Sequence, residues 1–580
     1  MNLKIANSSN LGAGTSLMKA AWSTCRLGIA GAVLISIAMN VLVLTGPFYM
    51  LQIYDRVLPA HSLPTLVAFS ALALMLFIAY GVLDLIRTRL MARLGSVIDM
   101  KFADAAFDRS TMRSQPGDGA GYALRDLAVV RQFLSGPAAV GLLDIPWLPF
   151  YMALIFLLHP LIGWVATGSA VIFLVIAGLN EWTSRKPAQF AELQSRSEEQ
   201  FVSDVRSNMD TVDGMGMAPN LRRHWNLTHA RTIESTQGGS DRNASYAVVS
   251  RNLRLIMQST ILGLGAYLTM QMELSSGALI ASSIIFARAL APVDQAVAHW
   301  RTILTARRCW KRLSVLTLRG PDLSDRTELR PPSRSLAVSN IAVGTQGSRK
   351  LLLPNVSFRV EAGDCLGVIG ASGAGKSSLL RALVGSSQTL SGEIRIDGAT
   401  LDQWSEAARA KHIGYLAQDV QLLDGTIRQN ISRFQKDVSS EAVIAAAEMA
   451  GVHDLILSLQ DGYDTLVGAN GFALSAGQKQ RLGLARAVYG MPFLIVLDEP
   501  NAHLDRHGED ALAVVLHNLR AAGSIVIVAA HRSAILSEVN KMLLLENGQP
   551  SVFGSKEDVL AQLAANVRKQ AERGLHVVGA

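Results

Sequence analysis

The sequence predicts a membrane domain made of six α-helices, followed by an α/β domain with a phosphate-binding loop. The long apolar runs are concentrated in residues 26–300, whereas residues 330–560 have the composition of an ordinary α/β domain. Within the second domain, a glycine-rich segment runs from Gly370 to Ser377 between an apolar strand and a helix. A membrane unit and a nucleotide-binding unit are therefore predicted on one polypeptide.

The length and composition exclude a single soluble core. The chain has 580 residues, of which 49% are hydrophobic and 17% charged, and its mean hydropathy of +0.27 is typical of a chain with membrane segments. We attribute the net charge of +8 to cytoplasmic flanks and expect no nucleic-acid partner, since no basic–aromatic pattern accompanies it. Cys25, Cys309 and Cys365 are scattered, so neither a disulfide framework nor a cysteine metal site is expected.

Six segments are long and apolar enough to cross a lipid bilayer, which takes about 20 helical residues. They lie at 27–51, 63–86, 137–159, 161–180, 254–273 and 276–299. The short links between them are predicted at Tyr54–Ser62, His159–Pro160 and Met272–Ser276, and they carry little positive charge. Lys and Arg instead collect in the long links and after the last span. The positive-inside rule then places both termini and both long links in the cytoplasm.

The two long links, 87–136 and 181–253, are predicted to continue the spanning helices beyond the bilayer, because they keep a helical period. Each turns back near its middle, at 115–119 and at 213–219, where Gly and Pro accumulate.

Three ionisable residues stand in apolar surroundings, namely Asp144, Arg288 and Asp294. Charge buried in lipid is costly, so such residues line a transport path, pair with a charge on another helix, or lie at a membrane edge. The sequence leaves these alternatives open.

The glycine-rich segment has the chemistry of a polyphosphate site. Its backbone N–H groups converge at a helix N-terminus, where they face phosphate oxygens. Lys376 is predicted to reach the β- and γ-phosphates as a point charge, and the Ser377 hydroxyl to ligate Mg²⁺. The predicted phosphate-binding residues are Gly370, Ala371, Ser372, Gly373, Ala374, Gly375, Lys376, Ser377 and Ser378. ATP and Mg²⁺ are the expected cofactors.

Two further apolar strands lead to the same site. The strand at 493–497 ends in Asp498 and Glu499, and the strand at 525–530 is followed by His531. Acidic residues at the carboxyl end of a buried parallel strand lie beside the nucleotide. We predict that Asp498 holds Mg²⁺, that Glu499 orients and deprotonates the attacking water, and that His531 senses the γ-phosphate.

With these segments in order, the chain resembles ABC transporters over essentially all of residues 26–560. The matching segments are the Walker A loop at 370–377, the Q-loop glutamine Gln418, the signature motif at 474–478, Walker B at 497–499, the D-loop at 501–505 and the switch histidine His531. The resemblance implies that Gln418 joins the catalytic and Mg²⁺-binding groups. It also implies that Ser475, Gly477 and Gln478 bind ATP held by a partner subunit. The implied architecture is a six-helix ABC exporter domain followed by an ABC ATPase domain, working as a homodimer.

The chain departs from the family pattern at three points. The adenine-stacking aromatic, which belongs near 343–345, is missing, and this implies weaker selectivity for adenine. Ala476 replaces the commoner signature glycine, a change of one methyl group that the motif tolerates. Residues 468–471 lack the acidic residue often found before the signature.

Four segments of the membrane half resemble those of type I secretion system permease/ATPases, namely 44–57, 131–136, 144–149 and 287–292. We expect no N-terminal peptidase-like domain, as in the branch that exports proteases, lipases and RTX proteins. This resemblance implies ATP-driven export of an unfolded polypeptide with a C-terminal signal, from the bacterial inner membrane, with the ATPase domain in the cytoplasm. It also implies a periplasmic membrane fusion protein and an outer-membrane channel as partners.

The expected organisation is a flexible segment at 1–25, a transmembrane domain at 26–315, a linker at 316–335, a nucleotide-binding domain at 336–563 and a tail at 564–580. Two other functions stay open. One is export of a lipid or small molecule by the same architecture. The other is an ATP-dependent membrane assembly factor that transports nothing.

Overall fold

The computed structural model describes residues 11–111, 122–317, 329–344, 351–387, 389–468, 471–502, 504, 506–529, 537–546 and 548–564. The chain divides into two compact units, Met1–Asp322 and Leu323–Ala580. In the described residues the first unit is helical and the second is an α/β unit.

The first unit contains twelve α-helices among the residues that the structure describes. They are α1 (Leu11–Leu42), α2 (Thr45–Gln52), α3 (Leu58–Ala60), α4 (Leu63–Thr111), α5 (Ala123–Leu134), α6 (Pro137–Asp144), α7 (Leu148–Leu158), α8 (Pro160–Ser207), α9 (Met209–Gly214), α10 (Ala218–Met270), α11 (Ser276–Ala298) and α12 (Trp300–Thr317). A π-helical turn at Ile53–Val57 joins α2 to α3, and a 3₁₀ turn at Ile145–Trp147 joins α6 to α7.

Five helical segments of the described chain are long and apolar enough to cross a membrane. They are Cys25–Ala60, Leu63–Asp108, Pro137–Leu158, Pro160–Ser184 and Ser276–Ala298, and they confirm five of the six predicted spans. The remaining segment, 254–273, forms the end of α10 and the turn after it. Arg254 and Gln258 lower its hydropathy, and a span there stays a prediction.

Three helices are much longer than a bilayer requires. α4, α8 and α10 have 49, 48 and 53 residues. For α4 and α8, which contain candidate spans, this confirms that the helices continue into the long links. A turn around Gly216, with φ of 63°, follows α9 and precedes α10, so the turn predicted at 213–219 is confirmed. The turn predicted at 115–119 lies outside the described residues.

The outer link expected from Tyr54 to Ser62 is wrong for most of its length. Helical structure continues to Ala60, and only His61 and Ser62 form the turn before α4. Asp55 lies within this helical stretch, where a carboxylate among apolar residues is costly without a partner.

The partner of Asp55 is the N-terminus of α11. Its carboxylate accepts hydrogen bonds from Ser275 Oγ at 2.6 Å and from the Gly277 backbone N–H at 2.8 Å. A carboxylate is stabilising there because it faces the N–H groups that a first helical turn leaves unpaired. Gly277 permits this approach, since a Cβ at that position would lie 2.7 Å from the Leu51 carbonyl oxygen.

Two of the three ionisable residues in apolar surroundings form ion pairs between helices. Asp144 lies 3.0 Å from the Arg87 guanidinium, and Asp294 lies 2.5 Å from Arg254. Arg288 is exposed on α11. The structure therefore favours the ion-pair alternative for both aspartates, and a lining role stays a prediction for Arg288.

A further ion cluster joins α5, α8 and α12 beyond the apolar spans. Arg312 donates two hydrogen bonds to Asp126, at 2.6 and 2.7 Å, and its remaining amino group lies 2.9 Å from Glu192. Arg308 also reaches Glu192, at 3.2 Å. Asp126 is only 3% exposed, and the hydrogen bonds to it raise the pKa of Arg312.

Arg312→Leu is expected to destabilise the first unit by about 3–5 kcal/mol, because it leaves the Asp126 carboxylate buried without its partner. Thermal unfolding in detergent micelles measures the loss. Arg307→Leu is the matched control on the same helix, since the Arg307 side chain is 69% exposed. The double variant Asp126→Leu/Arg312→Leu should recover most of the loss, because no unpaired charge stays buried. A single variant as stable as the parent would contradict the prediction.

The second unit contains the predicted strand–loop–helix, which follows two other strands. Its elements are β1 (Ser335–Gly344), β2 (Leu351–Glu361), β3 (Cys365–Gly370), α13 (Lys376–Leu383), β4 (Ser391–Ile396), β5 (Ala399–Thr400), α14 (Glu406–His412), β6 (Ile413–Leu416), β7 (Gly425–Thr426), α15 (Ile427–Ile431), α16 (Ser440–Met449), α17 (His453–Leu457), β8 (Leu466–Val467), α18 (Ala476–Val488), β9 (Leu494–Asp498), α19 (Arg506–Ala521), β10 (Ile525–Ala529), β11 (Lys541–Glu546) and β12 (Gln549–Ser555).

The central sheet has the strand order β12-β11-β3-β10-β9-β6. β11, β3, β10, β9 and β6 are parallel, and only β12 pairs antiparallel. Every residue of β9 and β10 is buried, and their alternate side chains enter two separate apolar cores. The sequences of such strands are continuous apolar runs, because other elements cover both faces of the sheet. The order also brings the carboxyl ends of β3, β10 and β9 side by side.

Candidate functional site

The phosphate-binding loop connects β3 to α13 with a backbone that only glycine adopts easily. Gly370 has φ of 158° and Gly375 has φ of 94°. A Cβ on Gly370 would lie 2.4 Å from the Leu545 carbonyl oxygen, and one on Gly375 would lie 2.7 Å from Leu353. The loop therefore packs tightly between its neighbours while its N–H groups lead into the first turn of α13.

Lys376 opens α13 and folds back over the loop. Its ammonium donates hydrogen bonds to the Gly370 carbonyl at 2.8 Å and to the Ala371 carbonyl at 3.1 Å. The residue is 6% exposed, and this burial lowers the pKa of Lys376, whereas Glu499 and Asp498 oppose the shift. A buried ammonium beside converging N–H groups is suited to an anionic ligand such as a polyphosphate.

Ser377 and Asp498 bring together oxygen atoms of the kind that a divalent cation binds. Ser377 Oγ donates to Asp498 Oδ1 at 3.1 Å, and Asp498 is 1% exposed. Its Oδ2 is buried without a hydrogen-bond partner among the described residues, and burial raises the pKa of Asp498. An unpartnered carboxylate oxygen next to a hydroxyl fits Mg²⁺, which prefers hard oxygen ligands.

Glu499 follows β9 in a left-handed conformation, with φ of 50°. Its backbone N–H donates to the Ala529 carbonyl at 3.1 Å, which ties it to the end of β10. Gln418, just after β6, donates from Nε2 to Glu499 Oε2 at 3.3 Å. The Q-loop amide and the expected general base are therefore neighbours within one chain.

The signature residues form the N-terminal cap of α18. Ser475 Oγ accepts from the Gln478 N–H at 3.3 Å, and Gln478 Oε1 accepts from the Ser475 N–H at 2.9 Å, which is a capping box. Ser475 and Ala476 are exposed and Gly477 is partly exposed. Among the described residues, no hydrogen bond joins the signature to the phosphate loop of the same chain.

Some predicted site residues lie outside the part of the chain that the structure describes. His531 and the D-loop residues His503 and Asp505 lie outside the described residues. At the position of the missing adenine-stacking aromatic, Val343 is 1% exposed and Gly344 has no side chain, so neither offers a stacking surface. Thr345 lies outside the described residues.

One buried residue at this site was not predicted from the sequence. Gln480 on α18 donates from Nε2 to the Glu499 backbone carbonyl at 3.0 Å and is 2% exposed. The sequence pattern indicates that Gln480 is buried, because it shares a helical face with Leu484 and Ala487 at spacings of four and seven residues. A polar side chain within an apolar stripe needs a partner.

Comparisons with known proteins agree with this geometry. The ABC transporter family model matches residues 353–502. The type I secretion system ATP-binding protein PrsD of Rhizobium meliloti (strain 1021) is 42% identical over 564 residues, covering 96% of this chain and 97% of that protein. The cyclolysin secretion/processing ATP-binding protein CyaB of Bordetella pertussis is 27% identical and is covered over 77% of its length, with 94% of this chain matched. The leukotoxin translocation ATP-binding protein LktB of Mannheimia haemolytica is 26% identical over 91% of this chain and 75% of its own.

The fold also has a solved relative. A bacterial Atm1-family ABC exporter with ATP bound superposes with a TM-score of 0.77 and 22% identity, covering 95% of this chain and 99% of its own. This likeness and the apolar helices make the chain a multi-pass membrane protein of ABC exporter fold. The near full-length match to PrsD identifies the branch. The chain therefore belongs to the type I secretion system ATP-binding proteins of the ABC transporter family, and it is an ATPase coupled to export across a membrane.

Proposed function

We propose that the chain exports an unfolded polypeptide with a C-terminal secretion signal across the bacterial inner membrane. The observation that carries this proposal is the 42% identity to PrsD over 96% of the chain. We further propose a periplasmic membrane fusion protein and an outer-membrane channel as partners, with residues 336–563 in the cytoplasm and residues 26–315 in the membrane.

The site residues have distinct roles in this proposal. The loop N–H groups and the Lys376 ammonium bind the β- and γ-phosphates, and Ser377, Asp498 and Gln418 hold Mg²⁺, which neutralises phosphate charge when bound. Glu499 takes a proton from the attacking water, and His531 contacts the γ-phosphate. Gln418, which donates to Glu499 at 3.3 Å, orients the carboxylate and the water.

The export function is tested with the protein reconstituted in proteoliposomes. ATP hydrolysis is measured with peptides from the C-termini of candidate secreted proteins, and separately with lipids and small molecules. Stimulation by the C-terminal peptides alone supports polypeptide export. Stimulation by lipids or small molecules alone identifies the other kind of exporter. Hydrolysis without movement of any polypeptide into the vesicles identifies an assembly factor.

The proposed working unit is a homodimer with two ATP molecules, each between the phosphate loop of one chain and the signature of the other. The exposed Ser475 and its lack of a hydrogen bond to the chain's own phosphate loop, among the described residues, support this arrangement. Symmetric dimers pair complementary surfaces of identical chains in this way.

Mixing two inactive variants is expected to restore ATP hydrolysis. Lys376→Ala disables the phosphate loop, and Ser475→Arg disables the signature, so each homodimer has two defective sites. A mixed dimer gathers both defects in one site and leaves the other site intact. Phosphate release is measured after co-expression of the differently tagged chains and purification through both tags. Mixed dimers as inactive as the parents would contradict sites shared between chains.

A further inference from the structure

The side chain of Gln480 lies on the buried face of α18, the helix that begins at the signature. It is 2% exposed, and its neighbours on that face are apolar. A buried amide among apolar side chains is costly unless its polar atoms are used. The contact that it makes therefore indicates what it does.

That contact joins α18 to the residue proposed as the general base. Gln480 Nε2 lies 3.0 Å from the Glu499 carbonyl oxygen. Because a carbonyl oxygen only accepts hydrogen bonds, the amide nitrogen must face it. Gln480 Oε1 is buried without a hydrogen-bond partner among the described residues, so the bond to Glu499 is the one polar contact that this side chain makes in the described part of the chain.

The backbone of Glu499 needs such support. Its φ of 50° belongs to the left-handed region, which residues with a Cβ adopt only when the surroundings hold them there. Its N–H is held by the Ala529 carbonyl at 3.1 Å. Its carbonyl is held by Gln480 and by the Ala502 N–H at 3.1 Å. Gln480 therefore adds a side-chain hydrogen bond to the one that the adjacent turn supplies to this carbonyl.

We infer that Gln480 is a positioning residue for ATP hydrolysis. By binding the Glu499 backbone carbonyl, it fixes the position of the Glu499 carboxylate relative to the signature helix α18. Ser475, the N-cap of α18, and Gln480 belong to one short rigid element. The helix expected to grip the partner's nucleotide therefore also sets the backbone of this chain's own base. The inference rests on the proposed role of Glu499.

Gln480→Met tests the inference, because methionine keeps the side-chain length and removes the donor. We expect kcat for ATP to fall by roughly 10–100-fold, since a small displacement of a catalytic group has this effect, while KM for ATP stays unchanged. Gln480→Glu should lower kcat further, because its carboxylate faces a carbonyl oxygen. Steady-state phosphate release with the full chain in detergent measures both constants, and binding of a fluorescent ATP analogue confirms that each variant folds.

Asn430→Leu is the matched structural control. Asn430 is also a buried amide, 2% exposed, and it bonds to the backbone of Leu423 and Thr426 rather than to the site. It should lower the melting temperature and leave kcat unchanged. Gln480 variants whose kcat follows the melting temperature as the control does, or which bind no nucleotide, would show a merely structural residue and overturn the inference.

The Glu499→Gln variant distinguishes a failure of the proposed base role of Glu499 from a failure of the positioning role of Gln480. If Glu499→Gln hydrolyses ATP normally, the role of Glu499 fails and the inference fails with it. If Glu499→Gln is inactive while Gln480→Met keeps the parental kcat, only the inference fails.

Discussion

Glu499→Gln is expected to lower ATP turnover by about 10²–10⁴-fold, the usual contribution of a positioned general base, and to leave ATP binding intact. The amide cannot take a proton from water, but it has nearly the shape of the carboxylate. The backbone bonds that hold residue 499 at φ of 50° do not involve the side chain. The phosphate loop and Lys376 are untouched, so the affinity for ATP should not change.

Phosphate release and nucleotide binding are measured on the same preparation of the Glu499→Gln variant. Glu441→Gln provides the control, because it makes the same chemical change at an exposed position of α16. Hydrolysis near the parental rate would reject Glu499 as the base. Loss of nucleotide binding together with turnover would show that the carboxylate supports the fold of the site.

Lys376→Ala is expected to weaken ATP binding by about 10–100-fold, since a hydrogen bond to a charged group contributes about 1.5–3 kcal/mol. The Lys376 ammonium lies 2.8 Å from the Gly370 carbonyl oxygen, at the centre of the loop that we propose binds the phosphates. Alanine removes the positive charge there but keeps the helical backbone of α13, because alanine favours helices.

Titration with a fluorescent ATP analogue measures the change in affinity. Lys436→Ala is the control, since Lys436 is an exposed lysine of the same unit with no part in the site. An unchanged dissociation constant for Lys376→Ala would mean that the loop N–H groups alone supply the phosphate affinity.

The sequence predicted those parts of the fold that depend on neighbouring residues. The loop between β3 and α13 has a pattern that requires a strand before it and a helix after it, and both are present. β9 was recognisable because a strand covered on both faces has only apolar residues before its final Asp498. Parallel pairing then brings Ser377 within 3.1 Å of Asp498, as the chemistry of the two residues suggested.

The features that the sequence did not predict depend on residues far apart in the chain. The helical stretch through Asp55 was not predicted, because the Gly277 N–H that pairs with its carboxylate is 222 positions away. The ion pair of Asp144 with Arg87 was one of three alternatives, since nothing local favoured that partner. The role of Gln480 was not predicted, because the carbonyl that it binds belongs to a turn after a different strand. Sequence periodicity identifies which face of a helix is buried, but it does not identify the distant residue that packs or bonds against that face.

The carboxylate cap that Asp55 places on α11 restricts how the membrane helices can rearrange. It fastens the segment that ends the first span to the start of the last one, through bonds of 2.6 and 2.8 Å. At Gly277 a methyl group would collide with the Leu51 carbonyl oxygen, so the two segments touch backbone to backbone. A transport cycle must therefore either keep these hydrogen bonds and rotate the helices about them, or break them. While the bonds are intact, the two helices can separate only at their other ends.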